Sequence, residues 1–189
     1  MRSLWILAVF IITVCGRSPA QELSCAVLDT KDAQMLRDFL RQQQKLRQSL
    51  CLPSVIKRLG QIHDLDAIPL LVIYLDYMDP KTAPLPNGGA TVRPSYPAVT
   101  AIFLIGKPAV IQLLSAIQTG ASAKFRKNAV RAYADIFRDD LSSGIRGLKT
   151  AELLAKSDDE RHRLNEALHE LMDECNNRDQ QAAQACKDL

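Results

Sequence analysis

The residues of this chain best suited to chemistry are two histidines and a glutamate near its carboxyl end. His162, Glu166 and His169 recur at steps of four and three, so one face of a helix carries all three. Glu166 and His169 also have the Glu-x-x-His spacing of di-iron helical bundles, but such a site needs inward-facing carboxylates from further helices. Charged neighbours flank this face and a leucine stripe lies opposite. We therefore interpret it as solvent-exposed, with an envelope metal-binding protein or enzyme as the alternative.

No other part of the sequence has a recognisable catalytic pattern. His63 stands beside Asp64 and Asp66 in a predicted turn, where it satisfies local backbone groups or faces water. No Gly-x-Ser-x-Gly motif is present, and Asn87-Gly88-Gly89 lacks the lysine and the helix that a phosphate loop requires. We predict a protein that is not an enzyme and binds no cofactor.

A basic stripe is the remaining charged feature. Lys124, Lys127, Arg131 and Arg138 share one side of a predicted helix. Asp135 interrupts the stripe four residues after Arg131, where it can form a helical ion pair, and no aromatic residues are interleaved to stack on bases. The pattern indicates an exposed charged face rather than a nucleic-acid site.

The first twenty residues have the composition of a secretory signal peptide. Arg2 precedes an apolar run from Leu4 to Val14, and Ser18-Pro19-Ala20 supplies the small residues that signal peptidase requires. The run is shorter than the roughly 20 residues that a helix needs to cross a bilayer, so we predict no stable membrane span there. We expect residues 1–20 to be removed, leaving a periplasmic or secreted protein.

Lipid attachment at Cys15 is the alternative. The residue before a lipidated cysteine should be small, and the bulky Val14 stands there, so cleavage after Ala20 is favoured. That cleavage removes Arg2 and Arg17 and no acid, which lowers the formal net charge of +3 by two. A nearly neutral chain gives no general reason to expect nucleic acid or an anionic membrane surface as a partner.

Four cysteines remain after such cleavage: Cys25, Cys51, Cys175 and Cys186. An even number in an exported chain favours at least one structural disulfide, and three pairings are possible. One unbroken helix over residues 31–50 would separate its ends by about 30 Å, so a Cys25–Cys51 bridge needs a break, for which a run of three glutamines is suited. A Cys175–Cys186 bridge needs a bent tail.

Helical periodicity recurs along the rest of the chain, and no segment has the pattern of a β-strand. Residues 21–52 are predicted to form a capping helical segment, and residues 53–175 a series of antiparallel helix pairs. Within that series Ala67–Met78 is apolar enough to be a helix sandwiched between neighbours. Proline and glycine make residues 79–94 a long loop, and residues 176–189 form a carboxyl-terminal tail.

Three segments of this series can be superposed, and they carry a resemblance to a known family. Leu59, Ile105 and Ile136 take equivalent places in Val55–Gly60, Ala101–Gly106 and Ala132–Phe137. The chain resembles HEAT-like repeat proteins of bacteria, including the type first described in phycobilisome lyases. The family's ordered pattern is matched by Leu59-Gly60, Asp64, Ala67-Ile68-Pro69, Leu71 and Leu75, and by Arg126, Ala129-Val130 and Ala132.

The resemblance covers about Val55 to Leu171 and implies an all-α fold, a short α-solenoid of HEAT-like or armadillo-like helix pairs. It departs from the family pattern in the 79–94 loop and at Phe137, where glycine is typical. Such families mostly mediate protein interactions, and a few members act on chromophores. No residue of this chain carries the second activity over.

These observations predict an exported scaffold that binds a protein partner through a concave face or through the 79–94 loop. Stacked pairs align their second helices into one extended surface. A purely structural spacer is the other alternative, and the sequence leaves the oligomeric state open. The polar residues that the second helices are expected to present are Tyr74, Tyr77, Gln112, Ser115, Arg146 and Lys149.

Overall fold

The computed structural model describes residues 26–30, 32–82 and 95–176. The predicted signal peptide, the central part of the predicted loop, all but the first residue of the predicted tail, and Cys15, Cys25 and Cys186 lie outside the described residues. The described residues form helices and turns and contain no strand, so the all-α prediction is confirmed.

The described residues contain eight α-helices and three short 3-10 turns. The α-helices are α1 (Ala33–Gln43), α2 (Leu52–Gln61), α3 (Ile68–Ile73), α4 (Pro97–Ile105), α5 (Val110–Thr119), α6 (Ala123–Ile136), α7 (Leu141–Leu153) and α8 (Asp158–Asn176), and the 3-10 turns are Ala26–Asp29, Leu65–Ala67 and Lys107–Ala109.

Side-chain caps account for where several helices begin. Asp32, Ser122 and Asp140 each accept a backbone N–H from the first turn of α1, α6 and α7, which satisfies a donor that has no partner inside the helix. Hydrogen bonds from Ser143 and then Ser142 lower the pKa of Asp140 to about 2. These are ordinary helix starts, and the sequence signals for them are local.

The prediction of one helix over Ala67–Met78 is wrong in its extent. A 3-10 turn precedes α3, α3 itself ends at Ile73, and the apolar chain continues through turns. Side chains from distant segments bond to the carbonyl groups at this end. Arg47 donates to the Ile73 carbonyl oxygen at 3.0 Å, and Asn128 donates to that of Leu75 at 2.7 Å.

The helices pack in an order that fits the predicted repeat over only part of the chain. Helix α2 packs against α4, and α4 packs against α6. Helix α3 contacts both α4 and α5. The sequence predicted α6 and α7 as the third pair, but α5 packs against both α6 and α8, and α7 packs mainly against α8.

Two helices approach closely where α2 meets α4. A Cβ atom added to Gly60 would stand 2.5 Å from the Cα atom of Ala101 and 2.7 Å from its Cβ atom. Both residues are buried, and interiors at normal packing density have no room to absorb such an overlap. The Leu59-Gly60 pair therefore provides a contact surface for the next helix.

We expect Gly60→Ala to lower the free energy of unfolding by about 1–3 kcal/mol, because the added methyl group forces α2 away from α4. In an exposed helix the same substitution normally stabilises by roughly 0.5–1 kcal/mol. Urea unfolding followed by circular dichroism measures the change, with Ser54→Ala on the exposed side of α2 as the control. A neutral or stabilising Gly60→Ala would contradict this close contact.

Candidate functional site

An open groove of about 600 Å³ lies between α3 and α5 and reaches the start of α6. Its lining is mostly apolar or small, with a few polar side chains. The lining residues are Arg47, Pro69, Val72, Ile73, Asp76, Gln112, Ser115, Ala116, Thr119, Gly120, Ala121, Ser122 and Phe125.

The ionisable residues that line the groove form one ion pair. Arg47 contacts Asp76 at 2.6 Å, with each side chain about two-thirds buried. The guanidinium group also lies 5.3 Å from the centre of the Tyr74 ring. No histidine, cysteine or second carboxylate is among the described lining residues, so the groove holds no paired nucleophile and base.

Gln112 is the unusual polar residue of the groove. Its Oε1 atom is buried and has no hydrogen-bond partner within the described part of the chain. One helical turn further on, the Ser115 side chain is exposed, while its carbonyl oxygen accepts a 2.8 Å hydrogen bond from the Thr119 hydroxyl. An unpaired buried acceptor costs about 1–3 kcal/mol, so native structures rarely keep one without a reason.

Two of the six predicted partner-binding residues are not on the surface. Tyr74 is 0% exposed and Tyr77 is 8% exposed. The Tyr74 hydroxyl donates a 2.6 Å hydrogen bond to the Leu40 carbonyl oxygen, and the two tyrosine rings meet edge to face. The expectation that they face a partner is wrong because α3 ends early and turns them into the core.

The predicted residues on α7 are also separated from the groove. Arg146 is exposed and donates to the Ser143 hydroxyl at 2.8 Å. Arg146 and Lys149 are not among the described lining residues, and α7 packs mainly against α8. Of the six predicted residues, the groove brings together Gln112 and Ser115.

The base of the predicted 79–94 loop is fixed by hydrogen bonds. The backbone N–H of Asp79 donates to the Ser95 carbonyl oxygen at 2.9 Å, and the Ser95 hydroxyl donates to the Thr82 carbonyl oxygen at 2.7 Å. Asp79 and Ser95 are both buried. The two described ends of this segment, residues 79–82 and Ser95, are therefore held next to each other. Residues 83–94 lie outside the described range.

The helical face carrying the histidines is exposed. His162 and Glu166 contact each other at 3.4 Å, and their side chains are 75% and 62% exposed. Glu166 and His169 border a second, charged groove between α6 and α8, where Arg163 donates to the Gln118 carbonyl oxygen at 2.6 Å. Within the described ranges, no cluster of three histidine, cysteine or acidic side chains is placed to hold a metal ion.

No family model, curated protein or solved structure matches the chain.

Among the described helices none is long and apolar enough to cross a membrane by itself. The pair Pro97–Ile105 and Lys107–Thr119 together has the length and apolar composition of a membrane span, but a 112° bend separates the two helices.

Two buried cysteines complete the description of the predicted sites. Cys51 precedes α2 and Cys175 lies in the last turn of α8, and both are disulfide-bonded. The other cysteines of the chain lie outside the described residues.

We expect Tyr74→Phe to lower the free energy of unfolding by about 1–2 kcal/mol at neutral pH, because it leaves the buried Leu40 carbonyl without its donor. Tyr77→Phe is the matched control, since the structure describes no hydrogen bond from the Tyr77 hydroxyl among the residues it covers. Chemical denaturation of both variants measures the difference. Equal effects would show that the Tyr74 hydrogen bond contributes nothing of its own.

Burial raises the pKa of Tyr74, and likewise of Tyr133, to about 12. An unfolded tyrosine ionises near pH 10, so between pH 10 and 12 the unfolded chain binds fewer protons than the folded one. The stability that the neutral tyrosines provide should be intact below pH 10 and lost as the pH rises towards 12. Unfolding curves measured between pH 10 and 12 should show that the free energy of unfolding falls less in Tyr74→Phe than in the wild type. An equal fall in both proteins would contradict the raised pKa of Tyr74.

Proposed function

We propose that this protein is a non-catalytic helical scaffold whose groove between α3 and α5 binds a segment of another protein. The observation that carries the proposal is the groove itself, which combines an apolar lining with one buried, unpaired acceptor on Gln112. Binding sites typically have this composition, in which apolar surface supplies affinity and a few polar groups fix orientation.

The chemistry of the lining favours binding over catalysis. Its charges, on Arg47 and Asp76, already neutralise each other at 2.6 Å. Its hydroxyl groups on Ser115, Thr119 and Ser122 have no histidine beside them among the described lining residues, so no general base is placed to activate them. A reaction would need groups that the groove does not present.

The open shape of the groove favours a chain segment as the ligand. About 600 Å³ is enough volume for a few side chains. Helix α3 supplies one wall and α5 the other, as in proteins that hold a peptide segment between two helices. A purely structural spacer, the other alternative, would not require such a groove.

The HEAT-like resemblance and export to an oxidising compartment form part of the same proposal. The successive packing of α2, α4 and α6 supports a repeat, although the third unit departs from it at α8. The disulfide bonds at Cys51 and Cys175 support a periplasmic or secreted location, because such bonds persist mainly in oxidising environments.

The alternative of a metal or enzyme site on α8 has weaker support. His162 and Glu166 are mostly exposed, and the described helices supply no third ligand beside them. Exposed ligands on one helix do not hold a metal ion tightly, since inward-facing carboxylates from other helices are needed.

We expect a peptide library selected on the wild-type protein to yield peptides that no longer bind Ser115→Trp. The exposed Ser115 side chain borders the groove, so a tryptophan there fills it without entering the core. Ser54→Trp places the same bulk on an exposed position of α2, outside the groove, and should retain binding. Dissociation constants from fluorescence anisotropy should rise at least about tenfold for Ser115→Trp alone.

Two results would contradict the proposed function. One is a selection that yields no peptide above background. The other is a set of peptides that bind Ser115→Trp and Ser54→Trp equally, since that would place their site outside the groove.

A further inference from the structure

Cys51 lies at the side of the helical array where α2, α4 and α6 begin. It directly precedes α2 and is 2% exposed. A small cavity beside the start of α2 is also lined by Asp79, whose backbone N–H donates to the Ser95 carbonyl oxygen just before α4. The Lys124 ammonium group in the first turn of α6 lies 5.2 Å from the centre of the Tyr96 ring, which directly precedes α4. The three helices therefore begin side by side.

Cys175 lies where these helices end, because α8 runs in the same direction as α6. Near the start of α8, Arg163 donates to a carbonyl oxygen in the last turn of α5, just before α6 begins. Phe137, which directly follows α6, and Leu171 of α8 both have side-chain atoms within 3.2 Å of a Cβ atom added to Gly144. Cys175 follows Leu171 by one helical turn and is 1% exposed.

The two cysteines therefore belong to different disulfide bridges. Helix α6 has 14 residues, so it is about 21 Å long, whereas the Cα atoms of a disulfide lie within about 7 Å of each other. Cys51 lies near one end of that length and Cys175 near the other, and both are disulfide-bonded. Each must bond to a cysteine outside the described residues. The candidates are Cys15, Cys25 and Cys186.

The start of α2 is within reach of Cys25. This cysteine is bonded to the first residue of the 3-10 turn Ala26–Asp29, so their Cα atoms are about 3.8 Å apart. The turn contacts both α1 and α2, and two of its apolar side chains pack against the core. Helix α1 ends at Gln43, which supplies the break in the chain that a Cys25–Cys51 bridge requires.

The end of α8 is within reach of Cys186, which follows Cys175 by eleven residues. A segment of that length returns to the last turn of α8 without being stretched. To reach the start of α2, it would have to cover the length of α6 and cross several helices at about 8–10 Å each, which approaches its fully extended limit of about 36–40 Å. Neither bridge needs Cys15, which agrees with the predicted cleavage after Ala20.

We propose that two disulfide bridges, Cys25–Cys51 and Cys175–Cys186, close the two ends of the helical array. The first holds the segment before α1 to the start of α2, and the second holds the chain after α8 to its last turn. Each bridge forms when two thiols exchange with an external disulfide, whose own S–S bond breaks and whose sulfur atoms leave as two thiols with the two protons and two electrons. The proposal takes the oxidising location from the proposed function as the source of that disulfide, and it is independent of the groove.

Peptide mapping of the full-length protein tests the connectivity directly. Purified protein is equilibrated with reduced and oxidised glutathione, and the remaining thiols are alkylated. Trypsin, which cuts after lysine and arginine, then places these four cysteines on four separate peptides. The peptides, in chain order, end at Lys31, Lys57, Arg178 and Lys187. Without reduction, mass spectrometry should find the first joined to the second and the third joined to the fourth, and a reduced sample should give all four separately.

Three results of the mapping would overturn the proposal. They are a link between the peptides carrying Cys51 and Cys175, a link from Cys25 to Cys186, and alkylation of all the cysteines. Because the glutathione mixture supplies the oxidant, the result does not depend on where a cell keeps the protein. It is also independent of whether the groove binds a peptide, so a failed peptide selection and a failed mapping are distinguishable.

A single substitution gives an independent measurement. In Cys25→Ala, alkylation in denaturant should label Cys51 and leave the Cys175–Cys186 bridge intact. The melting temperature should fall by about 5–10 °C, because the unfolded chain gains entropy when the loop is no longer closed. Ser24→Ala changes the neighbouring residue without removing a thiol, and it should keep both bridges and the wild-type melting temperature. Labelling of Cys175 in place of Cys51 would overturn the pairing.

Discussion

The early end of α3 is the constraint on which the rest of the structure depends. An apolar run that could continue as helix stops at Ile73, and its carbonyl groups must then find donors from elsewhere. Arg47 donates to Ile73 and the buried Asn128 donates to Leu75. These bonds tie the segment after α1 and helix α6 to one point, and the turn that follows directs Tyr74 towards Leu40.

The groove follows from this constraint. Because α3 has only six residues, it covers part of α5 and leaves Gln112 and Ser115 beside open space. The Arg47 that donates to the end of α3 also pairs with Asp76 at the edge of the groove, so the same residue supports the fold and neutralises the site. A substitution of Arg47 would therefore change the end of α3 and the lining of the groove together.

Local sequence signals predicted most helix boundaries, whereas contacts between distant segments determine which residues line the groove. Proline, glycine and capping residues mark most helix boundaries, and Ser122 and Asp140 cap α6 and α7. The end of α3 was not predictable, because its donors are 26 and 53 residues away. The burial of Tyr74 and the place of α8 beside α5 also depend on contacts between segments that are distant in the sequence. Gln112 and Ser115 could be named because they lie on one face of a regular helix.

The most direct test of the groove is an amide chemical-shift map of the isotope-labelled protein titrated with a selected peptide. Binding between α3 and α5 predicts that the largest changes fall at Val72, Gln112, Ala116 and Phe125, with α7 and the His162 face unaffected. Saturable binding that moves the amides of α7 or α8 and leaves those four unchanged would contradict the account.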